Sequence, residues 1–248
     1  MSSALDLSGE HLAALAVIAG ARIALCVAAR RRPGAWIGPA AVALGVWLVA
    51  SEAQWIGGLV ASGRWSPAIG LPLHLCDAAA LLAAAAVWTR RRGLVELLYF
   101  WAAAGTVQAL LTPAVPGAFP SPAYFQYYAG HGGIVVAAAF LVLGLRLTPG
   151  PGAAPRALLL TAAYTAVVGV ADVLTSGDYL FLRMPPPGVH TLFDPLGPWP
   201  WYLVASAGLA VVLFAVLALP FRPAPAAPPP ARTGGPRPPA GPRRSWPG

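Results

Sequence analysis

Residues 71–111 read LPLHLCDAAALLAAAAVWTRRRGLVELLYFWAAAGTVQALL. Two apolar runs, Leu71–Trp88 and Leu94–Leu111, flank the triplet Arg90-Arg91-Arg92. Runs of about 18 residues sit at the lower limit for a helix crossing a hydrocarbon layer. The same grammar continues outward in both directions, through Leu12–Ala29, Trp36–Val60, Tyr124–Leu145, Ala157–Leu174 and Trp201–Pro220. Seven runs in all predict an all-α, polytopic bundle of seven transmembrane helices.

The charges set the expected orientation. The chain has sixteen arginines and no lysine. Arg30, Arg31 and Arg32 follow the first run, and Arg90, Arg91 and Arg92 the third. Arg146 and Arg156 follow the fifth, and Arg222, Arg232, Arg237, Arg243 and Arg244 the seventh. Only Arg64 and Arg183 fall on the opposite side, and Arg22 lies within the first run. Cytoplasmic loops keep the excess of positive charge, so the amino terminus is expected outside and the carboxy terminus inside.

Composition agrees with a membrane protein. The chain is 58% hydrophobic and only 10% charged, with mean hydropathy +0.67, outside the range of an ordinary soluble domain. Its pI near 10.3 would point to nucleic acid in a soluble protein. Here loop arginines facing anionic lipid account for the charge, so membrane lipids are the expected partners and nucleic acid is not. The amino terminus carries Asp6 and Glu10 but no base, unlike a secretory signal, so the first run is read as a retained helix. Cys26 and Cys76 fall near opposite faces of the bilayer, too far apart for a disulfide, and are expected as free thiols.

Residues 1–221 read as one membrane domain. Residues 222–248, rich in Pro and Arg, read as a disordered cytoplasmic tail. Two outside loops stand out. Pro113, Pro116, Pro120 and Pro122 stiffen the first. The second, Thr175 to Pro200, mixes Tyr179, Phe181, Leu182, Leu192, Phe193 and Trp199 with Asp178, His190 and Asp194. It reads equally as an interfacial anchor and as a lid over a site.

Polar groups are costly inside a bilayer, so their depth is informative. Most fall in the outer half: Glu52 and Gln54; His74, Cys76 and Asp77; Gln108; Gln126 and His131; and Asp172. Glu96, at the inner end of its helix beside Arg92, reads as a plain charge partner, and Arg22 either snorkels or pairs within the bundle. In the third run, Pro72 suits a first helical turn, and His74 and Asp77 at i and i+3 share a face. Cys76 lies about 100° from Asp77 around that helix, so its base must come from another helix. His131, between glycines in YYAGHGG, is the candidate. A thiol with an imidazole is the minimum for nucleophilic acyl transfer. The alternatives stay open: an inert packing cysteine, and an interhelical hydrogen bond for His131. No tight ligand spacing supports a metal, and no cofactor is implied.

LPLHLCD, ELLYFWAAAGTVQALLTP, FQYYAGHGG and DPLGPWPWY, in that order, resemble the bacterial YwaF-like integral membrane proteins over about Leu71 to Tyr202. That family is similar to an animal multi-pass membrane protein linked to phospholipid acyl transfer through a cysteine and a histidine. The resemblance implies Cys76 as nucleophile and His131 as base; by their depth, His74, Asp77, Gln108 and Asp172 are expected as a supporting polar cluster. The sixth run departs from the pattern, which leaves a third residue's role unassigned. The rival expectation is a non-catalytic transporter, binding protein or sensor with an outer-half polar pocket.

Overall fold

The computed structural model describes residues 8–113, 117–185 and 194–221. Pro116, His190, Leu192, Phe193 and the tail read from residue 222 lie outside the described residues. Helix α1 spans Gly9–Arg31, α2 Ile37–Ala61 and α3 Leu75–Thr89. Helix α4, Arg92–Trp101, passes through a π turn at Ala102–Thr106 into α5, Val107–Leu111. Helix α6, Pro122–Ala139, ends in a second π turn at Phe140–Gly144; α7 spans Ala153–Thr175 and α8 Trp201–Ala218. The helix starts follow local chemistry. The Ser8 hydroxyl accepts from His11 N–H at 3.4 Å, and Ser121, followed by Pro122, accepts from Tyr124 N–H at 3.2 Å.

Six of these helical stretches are long and apolar enough to cross a membrane, with α4 through α5 counted as one. The run Leu71–Trp88 differs from its expected form. Its helix begins only at Leu75 and holds 15 residues, about 22 Å of rise, so it falls short of a ~30 Å hydrocarbon layer. Pro72 stands in a non-helical lead-in rather than in a first turn, and His74 is extended at φ −63°, ψ 151°. The reason is tertiary. Tyr179 Oη accepts from Leu71 N–H at 3.0 Å and donates to the Pro67 carbonyl at 2.8 Å, while Tyr164 Oη donates to the Leu73 carbonyl at 2.8 Å. The Leu73 carbonyl, which an extra helical turn would offer to the Asp77 N–H, is taken by Tyr164, and Tyr179 pins the extended residues before it. Irregular backbone at membrane depth survives only where protein satisfies it in this way.

Helix α3 is the hub, packed against α2, α4 and α6. Its buried face is Ala79, Ala80, Ala83, Ala84, Ala86 and Val87, small side chains that let neighbouring backbones come close. Gly45 of α2 makes room for Trp88, whose indole Nε1 lies 2.2 Å from where a Cβ at residue 45 would stand. The outer helices are apolar on the outside as well: Val17, Leu159, Val173 and Leu174 are all more than two-thirds exposed. Apolar surface on that scale is lipid-facing surface. The protein is a multi-pass membrane protein.

The arginines mark one end of the bundle. Arg30 Nε donates to the Leu143 carbonyl at 2.6 Å. Glu96 is the charge partner expected of it, but for two arginines rather than one. Its carboxylate receives Arg92 at 2.9 Å, Arg156 at 2.7 Å and the Gly150 N–H at 3.0 Å. It thereby ties α4 to the start of α7. Glu96→Ala removes all three bonds and is expected to cost about 1–3 kcal/mol, moderated because both arginines reach water. A melting temperature in detergent equal to that of the parent would refute this clamp. Arg22 is exposed on α1, consistent with a side chain that snorkels.

Candidate functional site

The lead-in, residues 66–74, recesses the first turn of α3 below the arginine-poor end of the bundle. Counting ~1.5 Å per residue from the arginine-rich ends of their helices, Cys76, Glu52, Thr106 and His131 all come out at ~18–23 Å. They lie on α3, α2, the π turn and α6, and these elements pack against one another. These four side chains therefore share one level of the bundle.

Around the thiol the neighbours are specific. Thr106 lies beside Cys76, and Asp77 and Glu52 are close enough for their charges to act on it. Asp77 turns back toward the His74 N–H, the usual reach of an acid at the third helical position. Glu52 is 8% exposed and Thr106 1%, and Glu52 Oε1 and Thr106 Oγ1 have no hydrogen-bond partner. Gly105 permits this approach, because a Cβ there would stand 2.9 Å from Leu75 Cδ2. The π turn itself frees a carbonyl, and the Gln108 amide answers it by donating to Ala104 O at 2.8 Å. Gln108 thus braces the turn that carries Thr106. Turns of this kind recur at functional positions.

His131 is held by its own helix. Its Nδ1 is 2.8 Å from the Tyr127 carbonyl, and the two rings stack at 4.1 Å. A carbonyl only accepts, so the proton sits on Nδ1 and the Nε2 lone pair is left for other work. Helices α3 and α6 are in contact, and Gly130 meets Ser51 of α2, one residue from Glu52.

His74 and Asp77 part company. Because His74 precedes the helix, the i, i+3 relation fails, and its ring packs against Tyr179 and Phe181 at centroid distances of 5.2 and 5.3 Å. Asp172 supports that aromatic group rather than the thiol, since its Oδ1 accepts the Tyr179 N–H at 2.8 Å. Burial pushes the Tyr179 phenol up, which keeps its proton on for the bond to Pro67. The described part of the long loop is fixed over the lead-in. Asp178 accepts the N–H groups of Arg183 and Met184 at 2.7 and 3.1 Å, and Trp199 Nε1 donates to the Leu182 carbonyl at 3.2 Å. Both cysteines are free thiols. Among the described residues, no three His, Cys, Asp or Glu side chains gather as a metal site.

Thr106, Tyr164 and Tyr179 were not legible as site residues. AAAGT carries no periodic signal beyond a helix, and a phenol's backbone partner on another helix leaves no trace in the sequence. Glu52 was visible by depth alone.

A family description, the TMEM164 family, matches residues 7–218, which take in every helix and every residue of this cluster. The chain belongs to the TMEM164 family. No curated protein and no solved structure matches it. Membership in the TMEM164 family fits a multi-pass membrane protein whose polar residues converge from many helices.

Proposed function

We propose that this TMEM164-family protein is a membrane-embedded acyltransferase acting on phospholipid acyl esters, or a hydrolase when water replaces the acceptor. In this reading the chain crosses the cell membrane seven times, with α3 and its lead-in as the third crossing. The amino terminus lies outside, the arginine-rich end faces the cytoplasm, and the site opens toward the outer leaflet. The observation that carries the proposal is the recessed first turn of α3. It sets one thiol inside the membrane among Thr106, Asp77 and Glu52, at the level of a histidine whose tautomer leaves Nε2 free.

The chemistry follows. His131 Nε2 takes the Cys76 proton as Sγ attacks the ester carbonyl of a phospholipid. The tetrahedral adduct collapses, the C–O bond breaks, and the leaving lysophospholipid oxygen receives that proton. An acyl thioester remains on Cys76. The hydroxyl of a second lysophospholipid then gives its proton to Nε2 and attacks the thioester, which restores the thiol and completes the transfer. Acyl chains enter sideways from the bilayer, beneath the Tyr179–Phe181 cap. The one-sided distribution of buried polar groups speaks against a route through the bilayer. Among the described residues, besides Glu96 they are His11, Ser51, Glu52, Thr106 and Asp172, all toward the arginine-poor half.

Purified protein in liposomes, given a phospholipid and a lysophospholipid with a different headgroup, is expected to form new acyl species. A hydroxylamine-labile acyl adduct should also appear on Cys76 by mass spectrometry. Folded protein giving neither species nor adduct overturns the reading.

A further inference from the structure

Helix α3 starts without a cap. Its first internal bond runs from Ala78 N–H to the His74 carbonyl at 3.0 Å, so the N–H groups of Leu75, Cys76 and Asp77 have no acceptor within the helix. The His74 side chain does not cap them, because its ring is engaged with Tyr179 and Phe181. No other bond to these three donors is found among the described residues. Unmet donors at membrane depth are expensive. A second feature of a different kind points to the same spot. The Thr106 hydroxyl, from another element, is 1% exposed, lies against the Cys76 thiol and has no nitrogen or oxygen partner.

Donors gathered around a nucleophile, with no acceptor bonded to them, describe a place for an oxygen that gains negative charge. We propose that the first-turn N–H groups of α3 and the Thr106 hydroxyl form an oxyanion hole for the acyl carbonyl under attack by Cys76. The π turn exists to deliver Thr106 into it, and Gln108 holds that turn by taking the Ala104 carbonyl. The ligand class is an acyl carbonyl, bound oxygen-first with its chain running into the bilayer. A carbonyl carbon bonded to sulfur holds its oxygen within reach of a hydroxyl beside that sulfur. Removing one donor from such a hole costs about 10²–10³ in kcat. The proposal rests on the acyl-transfer reading, and its test separates the two.

Thr106→Val keeps the shape and removes the hydroxyl, while Thr106→Ser keeps the hydroxyl. Because the Thr106 hydroxyl has no nitrogen or oxygen partner and only the weakly bonding Cys76 sulfur beside it, the valine variant should melt close to the parent. In liposomes it is expected to lose about 10²-fold or more in kcat with KM little changed, and serine should restore most of the loss. A second measurement needs no turnover. A fatty aldehyde carrying ¹³C at its carbonyl adds the Cys76 thiol across C=O, sulfur bonding to carbon and the proton passing to oxygen. The resulting hemithioacetal is read by NMR on the full chain in nanodiscs. Its affinity should fall at least about tenfold in Thr106→Val, recover in Thr106→Ser and vanish in Cys76→Ala.

Parent-like turnover and parent-like aldehyde binding in Thr106→Val overturn the oxyanion hole and leave acyl transfer standing. Thr106-dependent aldehyde binding without lipid turnover supports the hole and removes the acyltransferase. No adduct on the parent protein overturns the hole.

Discussion

Cys76→Ala is expected to reduce acyl transfer at least about 10³-fold while leaving the folded protein intact. Sulfur is the atom that bonds to the acyl carbon, and no neighbouring group matches its nucleophilicity: Thr106 offers a hydroxyl, and Asp77 and Glu52 are carboxyls. The structural cost is small. Cys76 is only partly buried at the edge of the core, and alanine matches the residues that follow it along α3. Cys26→Ala, on α1 and apart from this cluster, supplies the control and should retain full turnover. His131→Ala should cost about 10²–10⁴, less than loss of the nucleophile, because only proton transfer is impaired. Mass spectrometry of the product lipids reads all three variants. Turnover by Cys76→Ala within tenfold of the parent removes the thiol from the chemistry.

Tyr179→Phe is expected to be the most damaging conservative change outside the cluster. The phenol is fully buried, and its hydroxyl serves two backbone groups of the lead-in at once, Pro67 C=O and Leu71 N–H. Phenylalanine preserves the ring contact with His74 but leaves both groups unpaired in a medium with little water. Each orphaned group costs about 1–3 kcal/mol, so a loss of about 2–5 kcal/mol is expected. Tyr164→Phe frees only the Leu73 carbonyl and should cost about half as much. Thermal unfolding in detergent ranks the two. Equal melting of Tyr179→Phe and parent would mean that the lead-in does not depend on this strap. Turnover should fall in Tyr179→Phe as well, since the strap sets where α3 begins and hence where Cys76 stands.

The amino-acid sequence by itself determined the class of the protein. Seven apolar runs punctuated by arginines required a helical membrane bundle, because hydrocarbon accepts only segments that satisfy their own backbone. The same runs placed His74, Cys76, Asp77, His131 and Asp172 in one half of it, since depth is a linear count along a helix. Glu96 as an ion-pair partner was equally legible from its arginine one turn away.

Tertiary structure alone decided the rest. Helical periodicity put His74 and Asp77 on one face, yet α3 starts after His74, because Tyr164 claims the Leu73 carbonyl an earlier start would need and Tyr179 holds the chain before it extended. The local pattern of LPLHLCD cannot register phenols that arrive from residues 164 and 179. Gln108 and Thr106 exchanged importance for a similar reason. A π turn shifts side chains around the helix: Thr106 comes to lie beside Cys76, while the Gln108 amide is spent on the Ala104 carbonyl. What lies at a given depth is a property of the chain; what faces what is a property of the packing.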